Sequence, residues 1–249
     1  MSNDIADYPL VTAQNLPHRE MDFSSGTVWL VNKPGGWTSF RVVGLIRKLT
    51  GVKKVGHAGT LDPLATGLLV LCTGRATKAI TGMIGADKRY ECEIRLGEST
   101  PSYDSETEPD ASMPSNHVTE QMITRVIMEY FTGKVTQVPP MYSALKHKGQ
   151  PLYKYARKGE EINRPGREVT LYETRLTGFK DGIVSLDVHC SKGTYIRTLA
   201  DDLGKKLGTL AHLTALRRTA IGPYISGDAL EIQTILSKLD PDGNYTLSL

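Results

Sequence analysis

Twice in this chain, apolar residues fall at every second position. Tyr90, Cys92, Ile94 and Leu96 alternate with Glu91, Glu93 and Arg95, and Val184, Leu186, Val188 and Cys190 form a second such run. A period of two puts the apolar side chains of each run on one face of a strand, which then needs a cover on that face only. Elsewhere the period changes. Val42, Ile46 and Leu49 share a helical face behind a capping Thr38 or Ser39, and Met122, Ile123, Val126, Ile127 and Tyr130 mark a second helix that stops at Gly133. A third, opened by Thr194, turns Ile196, Leu199, Ala200, Leu203 and Leu207 inward, and residues 229–239 form a last one. A short helix is expected over 77–84. Further strands are expected at 28–33, 68–72 and 168–177, with an extended stretch at 210–221. Strands and helices intermix without a βαβ rhythm. That predicts an α+β fold with a central mixed or antiparallel sheet flanked by helices and loops.

The 249 residues are 39% hydrophobic and 23% charged, enough for a sizeable core. The apolar run 68–72 is too short to cross a bilayer, and the polar first ten residues do not resemble a secretory leader. Cys72, Cys92 and Cys190 lack CxxC spacing and sit in strand-like stretches, so buried reduced thiols are expected. These features fit a cytoplasmic enzyme. Residues 1–25 are polar and unpatterned, which predicts a flexible extension before one domain over 26–249. The net charge of +3 says less than its distribution. Residues 98–112 carry five acids and no base. Residues 146–167 carry Lys146, Lys148, Lys154, Arg157, Lys158, Arg164 and Arg167 near Tyr142, Tyr153 and Tyr155. Bases mixed with aromatics suit RNA phosphates and unstacked bases; a solvated face with half-buried tyrosines has the same composition. With Pro139 and Pro140 at its start, 139–167 reads as an insertion away from the core.

Residues 56–67 read G-H-A-G-T-L-D-P-L-A-T-G. Pro63 biases Asp62 towards an extended backbone, and three glycines allow sharp turns and close approach of a ligand. The result is one carboxylate on a stiff loop. An isolated Asp-Pro is commonly only a turn. A glycosidase would need a second acid in a comparable setting, and Asp201–Asp202 on a helix reads as solvated or capping. His57 has no partner at metal-ligand spacing, and no Gly-rich nucleotide cradle is present. A carboxylate acting by covalent catalysis without a cofactor or metal fits what remains.

The loop resembles the catalytic motif of the tRNA pseudouridine-55 synthase family. N-K-P-G-G-W-T-S at 32–39, K-R-Y at 88–90, P-P-M-Y-S-A-L-K at 139–146 and C-S-K-G-T-Y-I-R at 190–197 resemble further motifs of that family, in order, over residues 28–222. The resemblance implies a pseudouridine-synthase-like fold with an RNA-clamping insertion at about 139–167. It implies isomerisation of uridine in the tRNA T loop, by glycosidic cleavage, base rotation and reattachment through C5, with no cofactor and no metal. On the matching residues it makes Asp62 the nucleophile, Arg197 its partner and Tyr90 a platform for the flipped uracil. His57 fills the space the T loop vacates, Leu216 and Tyr195 line the substrate site, and Lys33 and Pro34 buttress it. From the residues alone, the favoured readings are an inward strand residue for Tyr90 and a surface ion pair for Arg197. The expected partner is the tRNA T arm, bound by a monomer with no obligate protein partner and no membrane. About 27 residues follow the last matching stretch, too few for the family's separate C-terminal RNA-binding domain, so either a short form or a truncated chain is expected. The alternative function is a non-catalytic RNA-binding protein or tRNA folding chaperone.

Overall fold

The unbroken apolar run at 68–72 belongs to a strand covered on both faces, and it organises the first half of the molecule. The computed structural model describes residues 4–243. In chain order its elements begin with β1 (Leu10–Val11), β2 (Val28–Lys33), α1 (Ser39–Thr50), β3 (Val55–His57), β4 (Thr66–Thr73), α2 (Ile80–Ile84) and β5 (Lys88–Leu96). There follow β6 (Glu98–Ser99), β7 (Ala111–Ser112), α3 (Glu120–Tyr130), β8 (Gly133–Gln137), β9 (Lys146–His147), β10 (Gln150–Pro151) and α4 (Leu152–Ala156). The chain continues with β11 (Arg167–Lys180), β12 (Ile183–Cys190), α5 (Ile196–Lys206), β13 (Ala211–Ile221), β14 (Tyr224–Ile225) and α6 (Ile232–Leu239). The fold is α+β with mixed strand pairing. Two compact units divide it: one is Tyr90–Leu216, and the other is made of the residues before and after that segment.

In the flanking unit, β2 runs antiparallel to β4 from Val28 opposite Cys72 to Lys33 opposite Gly67. β1 pairs parallel with β2, β3 antiparallel with β4, and β13 parallel with the start of β4 at Arg217–Thr66 and Arg218–Gly67. Leu68, Leu69, Val70, Leu71 and Cys72 are all fully buried. A strand covered on both faces has no polar positions to alternate with, which explains the continuous run. α1 turns Val42, Leu45 and Ile46 inward. Its Thr38 hydroxyl accepts from the Arg41 amide at 3.1 Å, and Gly51 ends it in the left-handed conformation.

Residues 4–25 differ from the flexible extension expected. Val11 is fully buried beside β2, and the Phe23 ring lies 5.3 Å from that of Trp29. The Thr73 hydroxyl donates to the Phe23 carbonyl at 2.7 Å. A few well-placed apolar side chains suffice to pin a segment whose overall composition is polar. The stretch 74–84 is also less regular than a single helix, being a 3-10 turn followed by the five residues of α2.

In the Tyr90–Leu216 unit, β11 lies between β12 and β8, antiparallel to both, with β5 and then β13 beyond β12. The alternation read in β5 and β12 is the burial observed: Cys92, Ile94, Leu96, Val184, Leu186, Val188 and Cys190 point inward. All three cysteines are free and buried, and burial pushes the Cys72 and Cys92 thiols up to about 12. On α3 only Ile123 and Ile127 are buried, while Met122 and Tyr130 face solvent at the edge of the stripe. Thr194 does not cap α5; its hydroxyl donates to the Ser191 carbonyl, closing the preceding turn, and the helix starts two residues later. Residues 139–167 form the hairpin β9–β10 and the short α4, anchored by buried Leu152. No helix among the described residues is long and apolar enough to cross a membrane.

Candidate active site

The backbone of the 56–67 loop is held by three buried polar side chains, one from each of three different elements. Lys33, at the end of β2, is fully buried, and its Nζ donates to the carbonyls of Pro34 at 2.9 Å, Trp37 at 2.6 Å and Pro63 at 3.2 Å. A lysine ammonium has three donors, and all three are used here. Ser39, at the start of α1, accepts from the Leu61 amide at 2.8 Å and donates to the Leu61 carbonyl at 3.0 Å. Arg218, on β13, is 1% exposed and donates to Leu68, Gly59 and Thr60 carbonyls. Asp62 therefore sits half-buried between two fixed neighbours, and its own carbonyl accepts from the Ala65 amide at 3.1 Å in a tight turn. Gly67 has φ +93°, and a Cβ there would stand 2.4 Å from the Arg218 carbonyl oxygen. Only glycine lets the loop leave so close to β13.

His57 ends β3 and leads into this loop. Its ring meets Phe40 edge-on, centroids 5.5 Å apart, and Phe40 itself is 74% exposed. Burial first, and the Arg218 guanidinium second, lower the His57 pKa below 6.5; the Gly59 carbonyl partly opposes this. The imidazole is therefore neutral at pH 7. Its buried Nδ1 makes no hydrogen bond of normal geometry. Asp62, Lys33, Pro34 and His57 are thus gathered around one loop.

The remaining expected site residues lie in the Tyr90–Leu216 unit. Arg197, in the first turn of α5, is 5% exposed and is no surface ion pair. Its Nε is 3.5 Å from an oxygen of Asp104, itself 1% exposed. Nη1 donates to the Ser102 carbonyl at 3.1 Å and Nη2 to the Tyr142 carbonyl at 2.8 Å. The Ser102 hydroxyl and the Glu106 amide donate to the other oxygen of Asp104. Tyr103, between them, holds a left-handed backbone with φ +63°, rare for a residue with a side chain. Tyr195 is fixed through its backbone, exchanging two hydrogen bonds with the buried Gln137 side chain at 2.9 and 3.2 Å. Tyr90 is half-buried on β5, and Leu216 is 9% exposed on the neighbouring β13.

Four residues that hold these groups were not singled out as site residues in the sequence: Ser39, Asp104, Gln137 and Arg218. Arg218 alone left a usable trace. It alternates with Leu216 and Ala220 on the inward face of β13, so a period-two reading of 211–221 places a cation in the core. The Asp201–Asp202 pair also differs from a solvated or capping one. Asp201 is buried and takes Lys205 at 2.6 Å, while burial and the Asp201 charge raise Asp202 to about 6.

In the insertion, Lys146, Lys148, Lys154, Arg157, Lys158 and Arg167 are exposed and Tyr142, Tyr153 and Tyr155 half-buried. Arg164 is different. Its side chain is only 13% exposed, its Nε and Nη1 lack hydrogen-bond partners, and Glu161 approaches Nη2 at 3.7 Å.

Comparison with known proteins places the chain. The model of the TruB family pseudouridylate synthase N-terminal domain matches residues 47–196, and that of the tRNA pseudouridylate synthase B C-terminal domain matches 197–242. The chain belongs to the TruB family of pseudouridylate synthases. It is 46% identical over 219 residues to tRNA pseudouridine synthase B of Coxiella burnetii (strain Dugway 5J108-111), a match covering 88% of this chain and 70% of the relative. With the protein of the same name from Bordetella avium (strain 197N), identity is 45% over 215 residues, covering 86% of this chain and 88% of the relative. With that of Aeromonas salmonicida (strain A449) it is 48% over 197 residues, covering 79% and 61%. Among solved structures, a chain of a crystallised Cbf5-Nop10-Gar1 complex superposes with a TM-score of 0.67 at 29% identity, over 91% of this chain and 56% of that one.

Proposed function

We propose that this protein converts uridine to pseudouridine at position 55, in the T loop of tRNA, acting as a cytoplasmic monomer without a metal or cofactor. The observation that carries the reading is the Asp62 loop: one carboxylate on a turn whose backbone is immobilised on either side by Lys33, Ser39 and Arg218. Membership of the family supplies the reaction. Asp62 acts as the nucleophile in breaking the N1–C1′ bond. The freed uracil rotates, C5 bonds to C1′ as the bond from Asp62 to C1′ breaks, and the C5 proton is lost while N1 ends protonated. Substrate and product are isomers, so no redox partner is needed. A uracil must leave the loop before its sugar is reachable, at a cost of a few kcal/mol. Stacking on Tyr90 returns roughly 1–3 kcal/mol. Neutral His57, with the exposed Phe40 against it, fills the space the base vacates without adding charge. By their family positions Leu216 and Tyr195 are assigned to substrate contact, and the guanidinium of Arg197 to keeping Asp62 ionised. Incubating the protein with an unmodified T-arm stem-loop and mapping pseudouridine by position tests the reading. A product confined to the T-loop position is expected; binding with no pseudouridine formed would overturn it in favour of a chaperone.

Residues 139–167 supply a clamp for the T arm in this reading. Their exposed bases suit backbone phosphates, and apart from Leu152 and the Pro139–Pro140 start few apolar side chains tie the segment down. The largely buried Arg164 guanidinium, short of partners, suits a phosphate as well. Limited proteolysis of the free protein is expected to cut first between Lys146 and Arg167, and RNA to protect those sites. Alanine at Lys146, Lys148 and Lys154 together is expected to weaken binding and reduce the salt slope by about 0.7–0.9 per lost phosphate contact. Equal protease resistance with and without RNA, alongside an unchanged salt slope, counts against the clamp.

A further inference from the structure

We infer that Arg218 is a positioning residue for the reaction, a single side chain that closes the neck of the loop presenting Asp62. This rests on Asp62 being the reacting group, as proposed above. The loop leaves β3 through Gly59 and Thr60 and re-enters the sheet at Thr66, two residues before Leu68, with Asp62 between. Arg218 bridges the two sides: Nε donates to the Leu68 carbonyl at 2.8 Å, Nη2 to Gly59 at 3.1 Å and Nη1 to Thr60 at 3.4 Å. The guanidinium is 1% exposed, so water does not compete for these carbonyls. Its backbone is fixed too, since Arg218 sits in register with Gly67 and the missing glycine side chain lets the two strands meet.

The geometry needs arginine. Three carbonyls from two separated segments are met by three nitrogens of one rigid plane. Lys33 also meets three carbonyls, but from a single nitrogen, and its Pro63 contact holds only the far side of Asp62. Ser39 holds Leu61 alone. Arg218 is the one of the three that joins both ends of the loop. A carboxylate attacking a sugar carbon must be held in a near-attack position, and a shift of about 1 Å costs on the order of 100-fold in rate. Loosening the neck should therefore reduce the chemical step and spare RNA affinity, because the buried Arg218 side chain offers no surface to the RNA itself.

Arg218→Lys keeps the charge and loses the plane; Arg218→Gln keeps two donors and loses the charge. Each is purified, checked for a cooperative thermal melt, and assayed well below its midpoint on the T-arm substrate. In parallel, hydrogen exchange is measured on peptides covering residues 56–68 and, as a control, β11 and β12. For both variants we expect kcat to fall about 10-fold to 100-fold with KM within about twofold. Exchange of the loop amides should quicken about tenfold, with the control strands unchanged. A kcat close to wild type in either folded variant overturns the inference. So does a fall in kcat with loop exchange unaltered. Exchange does not depend on activity, so if the wild-type protein made no pseudouridine, the functional reading would fail while the loop measurement still stood. If Arg218→Lys does not fold, Arg218→Gln decides by the same two readouts.

Discussion

Asp62→Asn is expected to lower turnover by roughly four orders of magnitude or more while RNA binding stays near wild type. The amide matches the carboxylate in size and cannot form a covalent bond to the sugar. The fold should survive the change, because the clamps from Lys33 at Pro63, Ser39 at Leu61, and Arg218 at Gly59, Thr60 and Leu68 hold the loop by its backbone. Single-turnover measurement on a T-arm stem-loop, with binding measured separately, checks both halves. An Asn variant that turns over near the wild-type rate removes Asp62 from the chemistry and leaves it a turn residue.

The parts of this protein that were legible in its sequence are those where one local rule decides the structure. The alternation in β5 and β12 and the helical spacing in α1 and α5 each follow from which face is covered. The stiffness of the Asp62 loop follows from Pro63 and the glycines. What stayed hidden depends on partners far along the chain. Asp104 sits in a run of five acids, and such a run reads as solvated; its burial comes from Arg197, 93 positions away. Arg218 answers carbonyls about 150 residues earlier. Gln137 has no local pattern at all, since its role is to satisfy the backbone of Tyr195. Val11 and Phe23 were hidden for the opposite reason, being isolated apolar residues in a polar stretch. Of the candidate site, the groups proposed to touch substrate were reached through family motifs, as was the buttressing Lys33, whereas Ser39, Asp104 and Gln137 take their holding roles only in three dimensions.

That division bears on Arg197, for which a holding role and a chemical role make different predictions. Its guanidinium is spread over Asp104, the Ser102 carbonyl and the Tyr142 carbonyl. Lysine keeps the charge but gathers its donors on one nitrogen, so it cannot meet all three. Arg197→Lys is expected to lower kcat about 100-fold or more. Arg197→Met should go further and also strip the 1%-exposed Asp104 of its cation. Removing one member of a buried pair costs about 3–5 kcal/mol, which corresponds to a fall in Tm on the order of 10 °C for a chain of this size. Combining Arg197→Met with Asp104→Asn removes both charges. Much of the lost stability should then return, because no uncompensated carboxylate is left in the interior. Turnover should not return, since the cation proposed to hold Asp62 ionised is still missing. Thermal melts and single-turnover rates on the single and double variants separate the two roles. If the double variant regains turnover in step with stability, Arg197 serves only as the counter-charge of Asp104. If stability returns and turnover stays at the level of Arg197→Met, the guanidinium takes part in the chemistry of the Asp62 site.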